Sequence, residues 1–149
     1  MQLQGKTIVA TSELDGSWFD KAMIFITEQN DKGTTGFVLN KLFLRKLNEL
    51  EEFKHSAEID LYNGGPVGIE HIYFLHTKPE LLQGTKVTAE IYFGGDFHKA
   101  VELLSKGKLS ADEVKVFIGY CGWDADELEA EIEEGSWVII DEANKSVFG

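Results

Sequence analysis

The sequence predicts an α+β fold, and three observations carry that reading. Candidate strands and helices alternate irregularly rather than in a regular βαβ order, the loops between them are short, and no internal repeat is present. With 149 residues and two prolines there is room for one core and little for a disordered linker. A globule of this size buries roughly 70% of the surface its unfolded chain exposes. Residues 1–149 therefore read as a single domain.

Taken in order, "KTIVAT" from Lys6 reads as a first strand and "AMIFITE" from Ala22 to Glu28 as a second, because β-branched and aromatic residues run between turn formers. "EQNDKG" is a turn and "GTTGFVLNK" a third strand, so residues 22–40 read as a β-hairpin closed by Asn30, Asp31 and Gly33. Leu44, Leu47, Leu50 and Phe53 recur along the next segment, which reads as a short amphipathic helix. "IDLYNGGPVGIEHIYFLHT" is strand, glycine-proline turn and strand, and "KVTAEIYFGG" is one more strand. Phe97, Ala100, Val101 and Leu104 trace the stripe of a helix opened by Asp96 and stopped by Gly107. Ser110 with Glu113 has capping-box spacing before the strand "VKVFIGY", and Asp124 with Glu127 has it before an acidic helix. "SWVIID" closes the sheet, with little left to fold from Val147 to Gly149.

Hydrophobic residues at 43% and charged residues at 27% are ordinary for a globular protein. No apolar run approaches the roughly 20 residues of a membrane span, and the N-terminus has no signal-peptide pattern. One cysteine builds no disulfide framework, so the expected compartment is the cytoplasm. The formal charge of −12, from 26 acidic and 14 basic residues, repels phosphate backbones and disfavours nucleic acid. The densest basic stretch, "KLFLRK" from Lys41 to Lys46, reads as a helix entry with a solvated edge.

Candidate chemistry is thin. His71 and His76 are five apart on a strand, so they face opposite ways, and His55 and His98 give no zinc-ligand spacing; no metal is expected. Cys121 in "GYCGW" would need a base to be a nucleophile, and a small buried side chain is the simpler reading. "NGGPVG" and "GTTG" do not continue into a P-loop or dinucleotide fingerprint, and no G-x-S-x-G elbow is present, so no cofactor is expected. The acidic helix places Ala125, Leu128 and Ile132 on one face and Asp126, Glu127, Glu129, Glu131, Glu133 and Glu134 outward. Such a face is either simply solvated or meets a basic partner.

"FIGYCGWDADELEAEIEEGSW", "NGGPV" before "IYFLHT" and "GTTGFVLNK" after "TEQN" together resemble the AlgH/YqgE family, also called DUF179 or UPF0301. The resemblance implies a compact domain of coiled, partly bifurcated, mostly antiparallel β-sheets with a few short helices, from the bacterial cytoplasm. It implies no known reaction. Members are often labelled transcriptional regulators, a label without a recognised DNA-binding motif. Where members usually carry Glu-His-Asn this chain has Glu28, Gln29 and Asn30, so any histidine chemistry at that turn is lost. Cys121 stands where alanine is common, Glu127 replaces a frequent glutamine, and the chain stops sooner than many relatives, at "SVFG".

Polar, aromatic and glycine positions that match the family make a candidate shared surface: Asn40, Asn63, Gly64, Gly65, His76, Tyr120, Trp123, Glu127 and Trp137. Each also has a plain structural role open to it, in turns for the asparagines and glycines and in the core for the tryptophans. Three functions follow. The leading one is a non-enzymatic regulatory domain that binds a protein partner through the GY-x-GW corner and the acidic face of Asp126, Glu129, Glu133 and Glu134. The others are a small-molecule-binding protein or enzyme with a pocket between the NGGPV turn and His76, and a DNA-binding regulator.

Overall fold

A computed structural model of the chain describes residues 1–140 and 147–148; Asp141 of "SWVIID" and Ser146 and Gly149 of "SVFG" lie outside these. β1 (Thr7–Ala10) is followed by β2 (Met23–Asn30) and β3 (Gly33–Val38), which form the expected hairpin with Asn30 opposite Gly33. Asn30 Oδ1 accepts from the Lys32 N–H at 2.8 Å and so ties the two-residue loop. A bulge between Ile26 and Glu28 twists the hairpin.

The segment expected to be an amphipathic helix is two 3₁₀ turns, Leu47–Glu49 and Glu51–Phe53, separated by Leu50 in an extended conformation. Its apolar residues recur every third position, the period at which 3₁₀ side chains eclipse, whereas an α-helix needs a mix of three and four. Leu47 is fully buried while Leu44 is 82% exposed, so the stripe does not form one face. β4 (Leu61–Asn63) and β5 (Val67–His76) flank the NGGP turn. A helical turn that the sequence reading missed, α1 (Pro79–Leu82), carries proline in its first turn, where no N–H is needed.

"KVTAEIYFGG" is not one strand. It breaks into β6 (Thr85–Lys86) and β7 (Tyr92–Phe93), because Thr88 Oγ1 accepts from the Glu90 and Ile91 N–H groups and turns the chain back. α2 (Phe97–Ser105) begins as expected, with the Asp96 carboxylate accepting from the Lys99 N–H at 3.1 Å. Gly107, at φ +72°, follows its end. β8 (Val114–Asp124), α3 (Glu127–Glu133) and β9 (Trp137–Ile140) complete the described elements. α3 starts at Glu127 rather than near Asp124. The reach-back half of the expected box survives, since Glu127 Oε1 accepts from the Asp124 N–H, but the residue at the helix entry is Asp126 in the left-handed conformation.

The strands make one curled, nine-stranded sheet in the order β6-β7-β5-β8-β3-β2-β1-β9, antiparallel throughout this path. β4 lies off it and runs parallel to β8, with Leu61 beside Val116 and Asn63 beside Ile118. The sheet forks along β8. Its first half is flanked by β5 and β4, its second half by β3, which pairs from Gly36 opposite Cys121 to Gly33 opposite Asp124. The coiled, bifurcated sheet expected from the resemblance is present. Three apolar clusters fill it: one under α2 around Phe74, Val114 and Val116, one between β2 and α3 around Trp123 and Trp137, and one along Phe25, Phe37, Leu75 and Phe117. No helix among the described residues is long and apolar enough to cross a membrane.

Candidate functional site

Asn63, Gly64, Gly65 and Tyr120 are brought together, and what they build is the fork of the sheet. The Gly64 N–H donates to Ile118 O at 2.8 Å, and Gly64 O accepts both the Val38 N–H at 2.9 Å and Cys121 Sγ at 3.4 Å. One glycine thus joins β3, β4 and β8. A Cβ on Gly65 would stand 2.1 Å from the Tyr120 carbonyl group, and one on Gly119 would stand 2.2 Å from Gly65 O. Backbone crosses backbone here, so the NGGPV turn is filled by the chain itself.

The remaining members of the candidate surface lie apart from the fork. Asn40 is a turn residue: Oδ1 accepts from the Met23 N–H and Nδ2 donates to Lys21 O, both at 2.9 Å. His76 is fully buried. Its Nε2 bonds Gly94 O at 2.9 Å and its Nδ1 accepts from the Lys78 N–H at 3.1 Å, so both ring nitrogens are satisfied and neither is offered to a ligand. Burial lowers the pKa of the ring, against smaller opposing contributions from hydrogen bonds to the Gly94 and Gln83 backbone. Because the unfolded chain takes up the proton first, stability from His76 is present above about pH 6.5 and is lost as the pH falls below it. Urea unfolding of wild type and His76→Gln should show a difference of about 1–2 kcal/mol at pH 7 that shrinks below pH 6; a constant difference would refute the buried neutral ring.

Trp123 and Trp137 are core residues, 7% and 2% exposed, with ring centroids 6.2 Å apart in an edge arrangement. Phe19 stacks on Trp123 and meets Trp137 edge-on. Each indole N–H donates to the same carboxylate oxygen, Glu131 Oε1, at 3.3 Å and 3.0 Å. Glu131 was expected to point outward with the rest of the acidic face; it turns inward instead, because an acceptor on the flank of α3 satisfies two nearly buried donors. Glu129 is also half-buried. Its Oε2 accepts from Gln29 Nε2 at 3.1 Å, and Gln29 in turn bonds the Leu3 N–H and Met1 O. Gln29 thus ties the N-terminal segment to α3. Ala125, expected on the buried face, is exposed because it precedes the helix. Asp124, Asp126, Glu127, Glu133 and Glu134 do face solvent.

Cys121 is 1% exposed, and burial pushes its thiol up to about 12, so the nucleophilic thiolate is suppressed. His71 is exposed and His76 buried, on opposite faces as their odd spacing dictates. Three cavities lined by described residues lie away from the NGGPV turn. One of about 360 Å³ sits beside β4 and the start of β8, one of about 340 Å³ between Phe53 and Val101, and one of about 420 Å³ around Pro79 and Tyr92.

The DUF179 family, described as AlgH-like, matches residues 7–149. The chain belongs to this family. AlgH-like relatives include a UPF0301 protein of Chlorobaculum tepidum, 35% identical over 97% of this chain and 78% of the relative. A UPF0301 protein of Cytophaga hutchinsonii is 33% identical over 99% of this chain and 82% of its own. The fold is shared with the solution structure of AlgH from Pseudomonas aeruginosa, at a TM-score of 0.76 and 24% identity over 98% of this chain and 80% of that one. It is shared too with a crystal structure of a Corynebacterium diphtheriae protein, at a TM-score of 0.79 and 18% identity over 100% and 81%. The fork, the paired tryptophans and the buried His76 give most of the candidate surface residues a place in the architecture of this AlgH-like domain.

Proposed function

We propose that this AlgH-like protein is a non-enzymatic, cytoplasmic interaction domain that presents an acidic face to a basic surface of a protein partner. The observation that carries the reading is the exposed set Asp124, Asp126, Glu127, Glu133 and Glu134, for which no ion pair with a basic side chain exists among the described residues. Glu133 and Glu134 also oppose the negative end of the α3 dipole, a repulsion that a basic partner relieves. The partner-facing set excludes Glu129, whose carboxylate is engaged by Gln29. The buried, protonated thiol and the satisfied histidine support a non-enzymatic role, and a single free thiol suits a reducing compartment.

A nucleic-acid partner fits less well. In the densest basic stretch Lys46 is held by Glu58 and Asp60 at 3.5 Å and 3.7 Å, and Lys41 stacks 4.4 Å from the Trp18 ring centroid. The test is capture of partners from native cells at low salt by the wild type and by the double variant Glu133→Lys, Glu134→Lys. Lysines at a helix C-terminus favour the dipole, so the variant should keep its stability within about 0.5 kcal/mol. A protein captured by wild type and lost by the folded variant is the expected result; equal capture by both, or capture of nucleic acid alone, would overturn the reading.

A further inference from the structure

Along β8 the side chains alternate. Val114 and Val116 enter the core under α2, while Lys115 and Phe117 face the other way, toward Tyr62. Lys115 Nζ lies 4.1 Å from the Tyr62 ring centroid and donates to Val147 O at 3.0 Å. No carboxylate lies within ion-pair distance of it among the described residues. The two acidic side chains lining the same cavity, Glu58 and Asp60, share Lys46 at its exposed rim. An ammonium group carries three donors, and here one is used by a carbonyl. The cavity of about 360 Å³ that Lys115 helps to line has apolar walls from Ile59, Leu104 and Leu109.

A partly desolvated cation with an aromatic face and one carbonyl, but no counter-charge among the described residues, leaves donors for an anion. We propose that this cavity is a binding site for a small amphipathic carboxylate, whose head pairs with Lys115 and whose apolar body lies on Ile59, Leu104 and Leu109. A monoanion fits better than a phosphate dianion because the rim holds two carboxylates against one lysine, a surplus that repels higher negative charge. Burial lowers the Lys115 pKa to about 8, which leaves the group mostly charged at pH 7. The proposal stands independently of the acidic face of α3.

The test is titration of the full chain at pH 7 with straight-chain carboxylates from butanoate to decanoate, followed by amide and lysine side-chain NMR shifts. The matching neutral alcohols serve as controls. Lys115→Met, which keeps the stem and removes the charge, is titrated in parallel after its fold is verified from its amide spectrum. The expected result is saturable shifts at residues 62, 109 and 115 for at least one carboxylate. Affinity should be about ten-fold weaker for the alcohol, and about ten-fold weaker for the same carboxylate in Lys115→Met. The proposal is overturned if no carboxylate gives saturable shifts by about 10 mM. It is equally overturned if acid and alcohol bind alike, or if Lys115→Met keeps wild-type affinity.

Discussion

Gly119→Ala is expected to destabilise the protein by roughly 3 kcal/mol or more, enough to remove a large part of the stability of a domain this size. Two costs add. Gly119 sits at φ +74°, where a Cβ is strained, and the new methyl would meet Gly65 O at 2.2 Å and Val67 O at 3.0 Å. Neither contact is with the end of a flexible side chain. One oxygen lies in the turn that joins β4 to β5 and the other on the first residue of β5, and the turn is pinned because Gly64 bonds β3 and β8 together. Gly122→Ala, three residues on, is the internal control. Its Cβ would touch Tyr120 Cε2 at an ordinary 3.6 Å, and its effect should stay within about 1 kcal/mol. Urea unfolding of the two variants decides the matter; equal midpoints would mean that the crossing of the two segments yields more easily than its geometry indicates.

The second large effect is expected at Glu131. Glu131→Leu removes the one acceptor shared by the Trp123 and Trp137 indoles and strands two donors inside a packed cluster, at about 1–3 kcal/mol each. Glu131→Gln keeps an amide oxygen in the same place and should recover most of that loss, leaving about 1 kcal/mol for the missing charge. Thermal or urea unfolding followed by tryptophan fluorescence reads stability and the indole environment together. If leucine and glutamine are equally tolerated, the carboxylate is not what satisfies the tryptophans.

These two sites show what a linear reading grasps and where it stops. β1, the β2–β3 hairpin, β5, the start of β8 and α2 were legible because each announces itself locally, through β-branched runs between turn formers or a capped apolar stripe. The 44–53 segment misleads because a repeat of three in sequence looks like an amphipathic α-helix. "KVTAEIYFGG" misled because Thr88 turns the chain through its own hydroxyl, in a run whose composition is that of a strand. Glu131 needed a different question from amphipathicity, namely what accepts the two indole N–H groups that bracket an acidic helix. The glycines at the fork could be seen as special, but their partners are about 55 residues away in sequence, and only the fold brings them together. Lys115 gave no signal at all, since a lysine in a strand reads as solvent-facing until its neighbours are known.

β8 carries a consequence of its own. It is the strand against which β3, β4 and β5 are all laid, yet it begins at Val114, well after all three in the order of synthesis. Until it emerges, the apolar faces of Phe37, Leu61, Phe74 and Leu75 have no common partner, and what can close is β1–β2–β3 on one side and β5–β7–β6 on the other. Before β8 is made, the nascent chain is therefore two unjoined pieces with sticky strand edges, the condition in which chaperones are engaged and neighbouring chains are most dangerous to one another. For this protein, acquiring a core waits on β8, the one strand that the earlier pieces share.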